Sequence, residues 1–153
     1  MKPLVLDKQK IYEYQQNREP YLMIDYASEI IPGASAKGYK DFKKDDWIFK
    51  VHWKDDPNVP GMLQVEALVQ MSALSILSLP GNKGKVVYLV SANHLKFVKK
   101  ILPNSRLYLE TTIKSFKRGV ANCEGRGFVN KELACKGEFM LILPDEIKKF
   151  NLK

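Results

Sequence analysis

From Gly61 to Leu79 the chain runs without a proline and with a single charge, Glu66. The segment is apolar on nearly every face, so the helix it predicts belongs in the middle of a domain rather than on its surface. Whatever else the chain forms must therefore wrap this helix. Gln64, Glu66, Gln70, Ser72, Ser75 and Ser78 interrupt the apolar run, which favours a buried helix over a bilayer span. Pro60-Gly61 marks its start. A carboxylate inside such a helix is costly to bury unless it is paired or working.

The flanking segments supply the wrapping. Residues 7–16 predict a short amphipathic helix with Ile11 and Tyr14 on one side, closed off by Pro20. Tyr21 to Ile31 and Ala34 to Phe42 are rich in β-formers and meet at the turn Pro32-Gly33, so they are expected to pair as a hairpin. Beyond the helix, Pro80 to Gly84 predicts a loop and Val86 to Val90 a buried strand. Leu107 to Phe116, Val120 to Val129 and Leu133 to Leu143 follow at spacings that predict an antiparallel meander. The expectation is an α+β fold in one domain over residues 1–153, with a long central helix wrapped by a curved antiparallel sheet of about six strands. A chain of 153 residues is long enough for a sizeable core.

Lys and Arg number 25 against 17 Asp and Glu, a net charge of +8. That excess suits an acidic partner: nucleic acid, an anionic membrane or an acidic carrier protein. The basic residues are scattered, apart from Lys96, Lys99 and Lys100 and the pair Lys148-Lys149, and no RNA-binding aromatic motif accompanies them. Neither nucleic-acid binding nor membrane insertion is expected. Cys123 and Cys135 lack metal spacing, so no metal site is expected, and with no apolar stretch at the N-terminus the simplest reading is a reduced, cytoplasmic protein. Gly125-Arg126-Gly127 and Gly81 to Lys85 fail as nucleotide loops, the first for want of a third glycine and the second for want of Ser or Thr. No cofactor is expected.

His52 follows a stretch of aromatic and β-branched residues, Trp47, Ile48, Phe49 and Val51, that predicts an extended strand. It would bring a base to the N-terminus of the helix carrying Glu66, the pattern of a general acid/base site. His52, Pro57, Pro60, Gly61, Leu63, Glu66, Ala67 and Gln70 fall in register with G-H-F-P-x-x-P-x-x-P-G-x-L-x-x-E-A-x-x-Q, and the chain thereby resembles the 3-hydroxyacyl-[acyl-carrier-protein] dehydratases of fatty-acid elongation. Asn17 through Asp25 resembles that family's H-R-x-P-F-L-L-V-D opening, and Lys96-Phe97 through Leu102-Pro103 its K-F-R-R-P-V-x-P segment. The likeness covers about residues 8–143. Val51, Trp53-Lys54, Asn17, Lys100 and Asn104-Ser105 depart from the pattern; they leave the acid/base pair intact and bear on pocket shape.

The resemblance implies the hotdog fold and conversion of a carrier-bound 3-hydroxyacyl thioester to the trans-2-enoyl thioester, without a cofactor. His52 would take the C2 proton, and Glu66, its acidity weakened by the apolar helix, would protonate or hold the departing 3-hydroxyl. The backbone N–H of Gly61 would face the thioester oxygen. Gln70, one turn beyond Glu66, would orient the carboxylate, with ordinary packing the alternative. Lys96, Lys99 and Lys100 are either a solvated face or a docking site for an acidic acyl carrier protein. His94 is expected at the surface. The resemblance further implies a homodimer whose sites combine His52 of one subunit with the partner subunit's Glu66, and it admits a trimer of such dimers. Two rival readings remain at this point: a hotdog thioesterase in which Glu66 activates water, and a non-catalytic acyl-binding partner subunit. Chain length, carrier protein against coenzyme A, and isomerase activity stay open.

Overall fold

The central helix forms where the apolar run predicts it: α3 spans Gly61–Leu77 and buries thirteen of its residues, with Leu68, Met71, Leu74 and Ile76 all inaccessible to within 1%. The computed structural model describes residues 2–149. Around α3 come β1 (Leu4–Leu6), α1 (Lys8–Tyr14), β2 (Tyr26–Ile31), β3 (Ser35–Phe42), α2 (Trp47–Val51), β4 (Tyr88–Phe97), β5 (Ser105–Lys117), β6 (Val120–Val129), β7 (Glu132–Ile142) and α4 (Pro144–Lys148). The described strands make one seven-stranded sheet in the order β1-β2-β3-β5-β6-β7-β4, antiparallel at every pairing. This is the expected helix wrapped by an antiparallel sheet.

Side chains alternate along the inner strands, with Ala121, Cys123, Leu107 and Leu109 turned to the core and Asn122, Arg126, Arg106 and Glu110 turned out. That period of two lets one face of the sheet clasp the helix while the other meets water. The clasp is close. A Cβ on Gly38 would lie 2.0 Å from the Tyr26 carbonyl oxygen and 2.6 Å from Met71 Cε, so only glycine lets β3 approach both its neighbour and α3 this tightly.

Several expectations need correction. Trp47 to Val51 is helix, not strand. The Lys43 N–H donates to the Asp46 carboxylate at 2.7 Å and the Phe49 N–H to the Asp46 carbonyl at 3.2 Å, which start a helical turn. Burying Ile48 in the core then outweighs the β propensity of the surrounding residues. The strand expected from Tyr21 begins only at Tyr26, because Tyr21 and Leu22 donate to the Arg18 carbonyl and Met23 to the Gln70 side chain. Val86 to Val90 was expected to be buried; instead β4 begins at Tyr88 and is an edge of the sheet, with Val86, Tyr88, Leu89 and Val90 at least 42% exposed. Nothing among the described residues covers those side chains. The seventh strand, β1, is three residues long and below what alternation can reveal. No helix of the described residues is long and apolar enough to cross a membrane.

Candidate active site

His52 caps the C-terminal end of α2, where the chain leaves the helix at φ −92° and ψ −126°. Its Nδ1 lies 2.9 Å from the Asn58 carbonyl oxygen. A carbonyl can only accept, so Nδ1 carries the proton and the lone pair sits on Nε2. Asn58 is itself held by a 2.7 Å bond from its side-chain nitrogen to the Asp56 carbonyl. The imidazole also stacks on Trp53, centroids 4.4 Å apart and planes 21° from parallel. Ring position and tautomer are thus both set before any ligand arrives.

The cleft beside His52, about 470 Å³, is lined by Gly61, Met62, Gln64 and Phe97, with Lys99 and Lys100 at its rim. Leu63 and Gln64 both direct their N–H groups at the Pro60 carbonyl. Gly61 and Met62, as the first two residues of α3, have no intrahelical carbonyl to donate to, and their N–H groups sit at the positive end of the helix. The space a Cβ on Gly61 would need is held by the Phe97 ring, whose Cζ is 2.9 Å away. Glycine here is required by the packing of β4 onto the start of α3, whatever else the position does.

Glu66 opens into a second cavity of about 290 Å³. Gln70 donates to Glu66 Oε1 at 2.9 Å and also to the Tyr21 carbonyl at 3.0 Å, while its own oxygen accepts from the Met23 N–H at 2.8 Å. Every one of those bonds assigns the amide orientation the same way, so Gln70 ties the chain before β2 to α3 and to the carboxylate. The Tyr21 hydroxyl also bears on the Glu66 carboxyl and opposes the effect of burial. Burial pushes the Glu66 carboxyl above the usual range, and the bond from Gln70 and the influence of Tyr21 pull only partly against it. A proton is therefore held more tightly here than on a solvated glutamate.

Within one chain His52 and Glu66 line different cavities. His52 and Gly61 share one; Glu66 and Gln70 share the other. Of the expected docking lysines, Lys99 pairs with Glu132 at 2.6 Å and Lys100 with Asp56 at 2.8 Å, while Lys96 is exposed. His94 lies at the surface of β4, in a left-handed conformation with φ 53°, its Nδ1 against the Glu138 carboxylate. Cys123 is pushed up to about 12 and Cys135 to about 11, each chiefly by burial, so neither is a thiolate nucleophile. Among the described residues no His, Cys, Asp and Glu cluster could hold a metal ion.

Residues 16–138 match the model of the FabA-like domain. The chain belongs to the FabA-like family. Its relatives include the 3-hydroxyacyl-[acyl-carrier-protein] dehydratase FabZ of Roseiflexus sp., 36% identical over 142 residues that cover 93% of this chain and 99% of that protein. The FabZ of Bacillus licheniformis is 32% identical, with the same coverage. Among solved structures, the dehydratase heterocomplex ApeI:P from Xenorhabdus doucetiae aligns with a TM-score of 0.76 at 12% identity, covering 94% of this chain and 97% of that one. That likeness establishes the hotdog fold. The FabA-like match takes in His52, Gly61, Glu66 and Gln70 together. Tyr21 is the site residue that motif reading passed over; the clue was a tyrosine where the family's P-F-L opening has phenylalanine, one hydroxyl that bears on Glu66.

Proposed function

We propose that this FabA-like domain, one domain spanning the chain, is a hydro-lyase that dehydrates 3-hydroxyacyl thioesters on acyl carrier protein to trans-2-enoyl thioesters. The observation that carries the reading is the bond from His52 Nδ1 to the Asn58 carbonyl, which leaves Nε2 as a free base beside the N-terminus of α3. Nε2 takes the C2 proton of the substrate. The electron pair moves toward the thioester carbonyl, whose oxygen gains charge facing the Gly61 N–H and the helix dipole. A protonated Glu66, held by Gln70, gives its proton to the 3-hydroxyl. The C3–O bond breaks, water leaves, and the C2–C3 double bond forms. Return of the histidine proton to the carboxylate through solvent restores both groups.

The separation of His52 and Glu66 into different cavities supports a site assembled by two subunits, His52 from one and the partner subunit's Glu66. The exposed apolar edge of β4 is the surface such pairing would cover. A trimer of these dimers is the larger assembly the family resemblance admits, and the cytoplasm the compartment. Lys96, with Lys99 and Lys100 at the cleft rim, is the proposed carrier docking face. Lys136 and Arg126 extend it: Lys136 stands opposite Lys96 and Arg126 opposite Lys136, with no ion pair among the described residues, and Glu110 of β5 opposite Arg126 ends the row. Three like charges side by side repel unless an anion joins them.

The test is incubation with carrier-linked 3-hydroxyacyl chains of graded length, read by intact mass. Loss of one water with the thioester retained supports the assignment. Release of the free carrier thiol identifies a thioesterase instead, and no change in any substrate would leave an acyl-binding subunit.

A further inference from the structure

We infer that Trp53 is a positioning residue for the proposed base: its indole face holds the His52 ring in place and favours the imidazolium formed when Nε2 takes the C2 proton. This rests on the dehydratase reading. The two rings are stacked, centroids 4.4 Å apart and planes 21° from parallel, and Trp53 lines the same cleft as His52 and Gly61. Trp53 is 61% exposed, so packing in the core does not account for its orientation. Trp47, the other tryptophan, is anchored differently, by its Nε1–H to the Pro20 carbonyl at 3.2 Å.

One short loop clamps the imidazole from two directions. Trp53 covers a face, and the Asn58 carbonyl accepts from Nδ1–H at 2.9 Å. The loop between them is braced. The Asp56 N–H donates to the Trp53 carbonyl at 3.3 Å, Lys100 Nζ to both Asp56 carboxylate oxygens at 2.8 and 3.0 Å, and the Val59 N–H to the Ile101 carbonyl at 2.9 Å. The two contacts on the ring are thus fixed relative to each other by the loop that carries both.

Proton transfer from C2 to Nε2 leaves the ring with N–H on both nitrogens and a full positive charge. Among the described residues His52 has no carboxylate in an ion pair, and the group on Nδ1 is a neutral carbonyl. The elements that meet at the ring carry Lys50 on α2, Lys54, Asp55 and Asp56 in the loop, and Lys99 and Lys100 after β4, while α3 brings its positive end. Asp56 is engaged by Lys100 and Lys99 by Glu132, and Asp55 is exposed to solvent. The π face of the indole is then the group that offsets charge on the ring, and tryptophan serves a cation better than the other aromatic side chains do. Trp53 stands where the dehydratase motif has phenylalanine, so the effect belongs to this chain more than to the pattern it resembles.

The experiment follows the ring carbon Cε1 of His52 by NMR through a pH titration of histidine-labelled wild type, Trp53→Phe and Trp53→Leu, with His94→Gln to assign the second histidine. The midpoint for His52 is expected to fall by about half a pH unit in Trp53→Leu and by less in Trp53→Phe. Repeating the set in Glu66→Gln, which removes the carboxyl a two-subunit site would bring, is expected to preserve that order. On 3-hydroxyacyl thioesters, Trp53→Leu is expected to lower kcat by about fivefold with KM little changed, and Trp53→Phe to recover most of the loss. A midpoint that stays or rises in folded Trp53→Leu overturns the inference, as does an order that vanishes in Glu66→Gln. Unchanged kcat, or a loss confined to KM, also overturns it, since Trp53 would then be at most a substrate contact. If the wild type forms no enoyl product, the dehydratase reading falls, and the titration order alone decides whether the indole favours the charged ring.

Discussion

Glu66 carries the one charge of α3 in a half-buried position, and the bond from Gln70 together with the influence of Tyr21 does not offset the cost of burying a carboxylate. Because its folded pKa lies above the unfolded one, protonated Glu66 contributes stability that is fully present below the ordinary carboxylate range and is lost as pH rises through the raised value. Glu66→Gln removes that loss. Its melting temperature should match the wild type at about pH 4 and exceed it at about pH 8; a constant difference by calorimetry would mean the carboxyl is not perturbed. The same substitution abolishes the proposed proton donor, and His52→Ala the proposed base. Each is expected to lower kcat for dehydration by about 10²–10⁴-fold with near-UV circular dichroism unchanged. Near-normal turnover in either folded variant would remove that residue from the mechanism.

At the scale of elements, the fit of sheet to helix depends on backbone approach more than on side-chain bulk. Gly38→Ala would drive a methyl group against the Tyr26 carbonyl and Met71, and neither the strand nor the buried methionine has room to yield. Overpacking of this kind costs about 1–3 kcal/mol or more, so urea unfolding should show a lowered midpoint with the slope unchanged. Gln70 works at the same scale: one amide joins the loop ahead of β2, the middle of α3 and the Glu66 carboxylate. The aromatic and β-branched run before His52 folds as a helical turn because Asp46 begins it and Ile48 is buried by it.

For the whole molecule, the exposed β4 edge and the placement of His52 and Glu66 in two cavities are the grounds for the proposed two-subunit site. Mixing inactive His52→Ala with inactive Glu66→Gln under demonstrated subunit exchange should restore about a quarter of wild-type activity, since each mixed two-fold dimer holds one intact site and one doubly damaged site. No recovery would show that each subunit completes its own. The charge pattern makes a separate prediction. Lys99 and Lys100 are paired with Glu132 and Asp56, whereas Lys96, Lys136 and Arg126 stand in a row without an ion pair among the described residues, with Glu110 of β5 opposite Arg126 at its end. Reversing the charges of the row should raise KM for a carrier-bound substrate and flatten its dependence on salt, with little effect on a small thioester mimic. Equal damage to both substrates would assign the row to the fold.

The primary structure by itself determined the central helix, the hairpin, the meander and the register of His52, Gly61, Glu66 and Gln70, because periodicity, turn residues and fixed spacing are local properties of a chain. It also marked Glu66 as a carboxylate under strain of burial, since the surrounding residues are apolar whichever way the helix packs. Only the tertiary structure decided that Trp47 to Val51 coils and that β4 is an exposed edge. It likewise decided that Tyr21 bears on Glu66 and that Gln15 is buried at the edge of the cavity. Each of these depends on which distant segments meet. Burial of Ile48, the position of β4 beside β7 alone, and the path of residues 14–23 along α3 are set by the packing of the whole sheet on the helix, which overrides local propensity wherever the two disagree.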